Sequence, residues 1–196
     1  VTQDISPSGR RRRADAQRNT EALLEAARKV FATSGVDAPA KEITDLAGVG
    51  IGTLYRHFPQ RSDLVKAVVR SGIDSVAETG PALSAEHEPV VALAKWVERF
   101  GELLHTKRGL ASALHSGDPA FQGLPEYFMA RLGPTLQSLL DAAAADGSIR
   151  DDVAAEDLLR AIASLCQPVP DRGVDHSRQM VGLLIDGLRY GGRRPG

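Results

Sequence analysis

Apolar residues recur along this chain at helical spacing, and no stretch alternates convincingly in the manner of a strand. From Asp15 to Ser34, Leu23, Leu24, Ala27, Val30 and Phe31 form one stripe between charged positions, and Gly35 follows as a stop. Pro39 opens a second segment, Ala40 to Ala47, with Ile43, Leu46 and Ala47 on one face, broken by Gly48-Val49-Gly50. A third short helix, Ile51 to Phe58, ends at Pro59, because proline cannot continue the backbone ladder. Ser62 suits the N-cap of a longer helix carrying Leu64, Val65, Val68, Val69, Ile73 and Val76, and Gly80-Pro81 is expected to end it.

Beyond a boundary placed near residues 80–88, further helices are expected at Pro89 to His105, Lys107 to His115 and Leu124 to Ala145. The last of these should be interrupted at Gly133-Pro134. A helix capped by Asp151 or Asp152 then runs to Cys166, and a final one spans His176 to Tyr190. Ser116 to Pro125 and Gln167 to Asp175 read as loops. The expectation is an all-α fold of about nine helices. It divides into a basic N-terminal arm at 1–14, loosely attached or disordered, a small helical domain at 15–80 and a larger one at 81–196.

Composition agrees with helix. Ala and Leu dominate the apolar residues, hydrophobic residues make up 42% of the 196 and aromatics only 5%. No run approaches the roughly 20 apolar residues of a membrane-spanning helix, and the arginine-rich start lacks the apolar stretch of a signal peptide. The single cysteine, Cys166, excludes an internal disulfide and a Cys-rich zinc site. These features suit a cytoplasmic protein. The net charge of −1 conceals an asymmetry: residues 1–70 sum to +4 and the remainder to −5. One end is therefore suited to a polyanion.

The stretch from Lys41 to Phe58 carries the most specific signal. Two short helices joined at a glycine form a helix-turn-helix, in which the second helix enters the major groove and the first braces it. Small Thr44 and Ala47 permit close helix approach, and Ile43, Val49, Leu54 and Phe58 lock the pair to the first helix. Lys41, Thr44, Gly50, Ile51, Gly52, Thr53, Tyr55, Arg56, His57 and Arg61 are left as candidate DNA contacts. Thr53 and Ile51 suit base edges or a thymine methyl, whereas Tyr55, His57 and Arg61 suit phosphates. The run Arg10, Arg11, Arg12, Arg13 suits a basic arm entering a flanking minor groove.

Residues 19–70 resemble the DNA-binding domain of the TetR family of bacterial regulators. The resemblance rests on Ala26-Ala27-Arg28-Lys29-Val30-Phe31 with Gly35, Ile43, Ala47-Gly48-Val49, Thr53 to Phe58 and Leu64. The chain departs from the usual family pattern at Thr44, where alanine is common, at Gly50, where serine is common, and at Arg61, where lysine is frequent. The resemblance implies a homodimeric regulator of double-stranded operator DNA. It further implies a C-terminal domain that dimerises and binds a small molecule, and a repressor released from a palindromic site by that ligand. On this reading ligand binding shifts the helix that begins at Ser62.

Large apolar residues of the middle helices are the candidate ligand walls: Trp96, Phe100, Leu104, Phe121, Tyr127, Phe128 and Leu132, with His105, Gln137 or Cys166 as polar contacts. Leu158, Leu159, Ile162 and Leu165, with Val181, Leu184, Ile185 and Leu188, are the candidate four-helix dimer seam. The five histidines lack ligand spacing, and residues 82–196 show no nucleophile-base pattern, metal spacing or phosphate loop. No enzyme activity, metal or cofactor is expected. A helical enzyme of small substrates and a protein-docking module rank below the regulator.

Overall fold

The computed structural model describes the backbone of residues 7–106, 110, 117–167 and 173–190, and the side chains there except those of 7–13, 106 and 190. The described residues form eight α-helices and one 3-10 turn, with no strand among them. The expected short helix at Lys107 to His115 lies outside the described residues, apart from Leu110.

The chain forms two compact units. The first comprises residues 1–69 and 109–122, and the second residues 70–108 and 123–196. In the first unit, α1 spans Pro7–Ser34, α2 Ala40–Ala47 and α3 Ile51–His57, and the opening part of α4 (Arg61–Glu86) completes it. The turn Pro119–Phe121 also belongs there, with the Asp118 carboxylate accepting from the Ala120 N–H at 2.8 Å. Leu23, Ala27, Phe31, Ile43, Leu54, Phe58, Leu64 and Val65 are buried and form its core. α1 starts two turns earlier than the apolar stripe suggested, so Arg10 to Arg13 stand on helical backbone.

The second unit holds the rest of α4 with α5 (Pro89–Thr106), α6 (Leu124–Ala145), α7 (Ala155–Leu165) and α8 (Val174–Tyr190). Trp96, Phe100, Leu132, Leu136 and Leu159 are among its largest fully buried side chains. A polar cluster joins α4 to α6. The Tyr127 hydroxyl donates to Asp74 at 2.6 Å, Arg131 Nε donates to the same carboxylate at 2.6 Å, and the Arg70 guanidinium lies 3.9 Å from the centre of the Tyr127 ring. The hydrogen bond to Asp74 raises the Arg131 pKa above its ordinary value.

Several element boundaries differ from the expected ones. α4 does not stop at Gly80-Pro81 but continues to Glu86, and α6 runs unbroken through Gly133-Pro134. Pro81 has no N–H for the Ala77 carbonyl. The Thr135 hydroxyl of α6 donates to that carbonyl instead, at 3.4 Å. The Val76 carbonyl receives the Trp96 indole N–H at 3.0 Å and the Thr79 hydroxyl at 2.7 Å. Gly80 is required for the crossing itself, since a Cβ there would stand 2.2 Å from the Thr135 methyl.

Helix starts also differ. α4 begins at Arg61, and its capping group is not Ser62 but Asp63, whose carboxylate reaches back to the Gln60 N–H at 2.9 Å. α7 begins at Ala155 without a local side-chain cap. Asp152 is turned to Arg150, while the Gln137 side-chain carbonyl on α6 accepts from the Ala155 N–H at 3.3 Å.

Candidate nucleic-acid interface

α2 and α3 are joined by a turn that the backbone fully satisfies. Gly48 sits at φ +68°, where only glycine is unstrained. Its N–H donates to the Asp45 carbonyl, and the Val49 N–H donates to the Thr44 carbonyl at 3.1 Å. These two bonds form a Schellman cap on α2 and set the direction in which α3 leaves. Leu54 and Phe58 are buried and anchor α3 from beneath.

On the opposite side of α3, Ile51 is 49% exposed and Tyr55 52% exposed, one helical turn apart and so on one face. Gly52 and Arg56 are also exposed, and Thr53 is half-buried. Around Gly50 and Gly52 an added Cβ would meet no atom within 4 Å, so the backbone here is bare and open. A large flat surface can therefore approach this end of α3 closely. Lys41 is exposed on α2 and paired with Asp45 at 2.6 Å.

Three sequence candidates are engaged in the frame. Thr44 is 3% exposed, and its hydroxyl donates to the Lys41 carbonyl at 3.1 Å. Arg61 turns inward: its Nε donates to the Val36 carbonyl at 2.6 Å, another guanidinium N–H donates to the Ala38 carbonyl, and the group lies 5.2 Å from the centre of the Phe31 ring. It ties α4 to the link between α1 and α2. His57 is half-buried, with Nδ1 3.2 Å from the Thr20 hydroxyl of α1. The side chains of Arg10 to Arg13 lie outside the described residues. Leu46, expected on an inner face, is instead 55% exposed on α2. Its place in the motif was the one signal that could have marked it as surface.

The candidate ligand walls do not share one opening. Trp96, Phe100 and Leu132 are fully buried core, Phe128 packs on Phe100 with ring centres 5.5 Å apart, and Tyr127 is held by Asp74. Leu104 is half-buried, and Phe121 belongs to the first unit. Of those candidates His105 and Cys166 border the cleft of about 350 Å³ between α5 and α8. Of the candidate dimer residues, Leu158, Leu159, Ile162, Val181, Ile185 and Leu188 are buried within the subunit, and only Leu165 and Leu184 are half-exposed. Among the described residues no three His, Cys, Asp or Glu side chains gather in a metal-binding group. No described helix is long and apolar enough to cross a membrane.

The comparisons with known proteins agree with this geometry. Residues 23–68 match the model for bacterial regulatory proteins of the tetR family, and residues 88–190 match that for the C-terminal domain of SbtR-like transcriptional regulators. The crystal structure of a TetR transcriptional regulator from Streptomyces coelicolor is 36% identical, with a TM-score of 0.72 over 87% of this chain and 98% of that one. The chain belongs to the TetR family of transcriptional regulators. A TetR regulatory protein from Mycobacterium vanbaalenii is 33% identical, with a TM-score of 0.70 over 90% of this chain and 98% of that one. An HTH-type transcriptional regulator of Staphylococcus aureus (strain USA300) is 40% identical over 63 residues, which is 32% of this chain and 34% of that protein's length. In this TetR-family regulator, α2 and α3 are the helix-turn-helix of the DNA-binding domain.

Proposed function

We propose that the chain acts as a homodimeric repressor that reads a two-fold-symmetric operator with α3 and leaves it when a small molecule binds the second unit. The exposed Ile51 and Tyr55 face of α3, beside bare Gly50 and Gly52, is the observation that carries this reading. Ile51 and Thr53 reach base edges, while Tyr55, Arg56 and Lys41 serve phosphates. Thr44, His57 and Arg61 act chiefly as the frame that holds α3 in place. Arg10 to Arg13 extend the basic surface from the start of α1 and make binding steeply salt-dependent.

The dimer seam is shifted from the expected residues to the outer face of α8. Met180, Leu183, Leu184 and Gly187 recur at helical spacing there, and Leu183 is 60% exposed. Half-buried Ala161 and Leu165 of α7 extend the face. An apolar side chain that exposed on a helix is explained when a second copy covers it. α4 belongs to both units, so a ligand that favours one of its positions would act on α3 through a single continuous helix.

Selection of random duplex DNA by the purified protein at near-physiological salt tests this. A palindromic site should emerge and should lose enrichment in Tyr55→Ala, a change at an exposed position that leaves the fold intact. Leu183→Glu should yield a monomer in analytical ultracentrifugation and lose the palindrome. Salt-labile binding without any enriched sequence would sink the operator reading.

A further inference from the structure

Every large hydrophobic side chain exposed in the first unit, among the described residues, falls within residues 46–55: Leu46 on α2, and Ile51 and Tyr55 on α3. One exposed apolar side chain is ordinary, but three in so short a stretch are not. They stand in the motif that meets a polyanion, where cations and hydrogen-bond donors are the expected chemistry. Tyr55 has a hydroxyl to offer a phosphate. Ile51 has no polar side-chain atom at all.

The surroundings of Ile51 narrow what it can meet. Residues 50–53 read Gly-Ile-Gly-Thr, so the start of α3 carries none of the Arg, Lys, Asn or Gln side chains that pair with guanine or adenine edges. Neither flanking glycine has an atom within 4 Å of where a Cβ would stand, so Ile51 lies between two bare stretches of backbone. It can enter a groove until its own methyl groups touch the bases. The major groove offers one apolar group, the C5 methyl of thymine. An isoleucine gains by covering that methyl and finds no equivalent on a G·C pair.

We propose that Ile51 reads a thymine 5-methyl group in each operator half-site, so that apolar packing rather than a bidentate hydrogen bond selects the base at the start of α3. This rests on the reading of α3 as the operator-contacting helix and commits it to one base and one contact. Cytosine lacks the methyl, whereas 5-methylcytosine carries it at the same ring position. A methylated cytosine at that place is therefore read in part as thymine.

The operator selected from random duplex DNA supplies the substrate. Fluorescence anisotropy then measures the full chain against operators carrying deoxyuridine for thymidine, one symmetric pair of positions at a time. Deoxyuridine removes the methyl and keeps every hydrogen bond of the base pair. At one such pair of positions the wild type should bind roughly fifteenfold more weakly, about fourfold per half-site, as expected for one methyl group taken from water in each. Cytosine there should bind more weakly than 5-methylcytosine by about the same factor. Ile51→Ala should bind the thymidine and deoxyuridine operators equally, no tighter than the wild type binds the deoxyuridine one. Ile51→Val should keep part of the difference. Both changes fall at an exposed position, and circular dichroism should show an intact fold. Discrimination that survives in Ile51→Ala, or a selected operator indifferent to deoxyuridine at every position, would overturn the assignment. So would an Ile51→Ala chain that changes its oligomeric state in ultracentrifugation and keeps its DNA discrimination, since the side chain would then face protein. An operator without methyl dependence refutes only the Ile51 contact, whereas the absence of any enriched operator refutes the operator reading and this contact with it.

Discussion

Glycine punctuates two helical regions of this protein with opposite results. At Gly48, between α2 and α3, the chain turns: φ is +68° and two backbone hydrogen bonds close the cap. At Gly80-Pro81 the chain does not turn, although this pair is the stronger helix breaker by local preference. α4 continues because neighbours supply what the pair takes away. Thr135 donates to the Ala77 carbonyl that Pro81 leaves without its N–H, Trp96 braces the adjoining Val76 carbonyl, and the Thr135 methyl occupies the space a glycine side chain leaves. A breaker ends a helix when the freed groups find their partners locally, and is absorbed when another helix satisfies them.

That contrast can be broken at its strongest point through Trp96. Trp96→Phe removes the indole donor to Val76 and leaves a partial void in a fully buried site, and should cost about 2 kcal/mol or more in chemical denaturation. An unchanged midpoint would mean the indole is not what sustains α4 past the proline. Gly48→Ala attacks the other region. It forces a Cβ into the left-handed conformation and should cost about 1–2 kcal/mol, while DNA affinity falls as α3 loses its direction. Gly80→Ala should cost about 1 kcal/mol net, overpacking against Thr135 outweighing the gain in helix propensity. Adding Thr135→Ser, which keeps the hydroxyl and deletes the methyl, should recover most of that loss. A double mutant as unstable as the single would locate the strain elsewhere. The smallest effect is expected at Gly50→Ser. Gly50 is the N-cap of α3 with no side-chain cap and open space at its Cβ. Serine there should stabilise by a few tenths of a kcal/mol and tighten operator binding by adding a hydroxyl beside the DNA.

The candidate interface was partly legible in advance. The helix-turn-helix, its bounds at Ala40–Ala47 and its exposed Ile51 and Tyr55 follow from spacing alone, because the motif is short and its turn is made by its own backbone. Arg61 was not legible. Its position beside the motif suggested a phosphate contact, yet carbonyls 23 and 25 residues earlier hold it inside the frame. Thr44 reads both as a small residue for close helix approach and as a DNA contact, and its burial on α2 fits the first role. The expected dimer residues meet a related limit. Both faces of α8 carry apolar residues, and periodicity cannot say which faces its own subunit. Packing places Val181, Ile185 and Leu188 inside and leaves Leu183 outside.

From the sequence alone came the helical class, the motif that meets DNA and the charge imbalance between the two ends, since each depends on neighbours a few residues apart. Only tertiary structure decided that α4 passes Pro81, that Gln137 rather than Asp151 or Asp152 caps α7, and that the large aromatic residues fill a core instead of lining an opening. The physical reason is the same in each case. A backbone group, a side chain or a cavity is completed there by a residue on another helix, and no local pattern records which helix that will be.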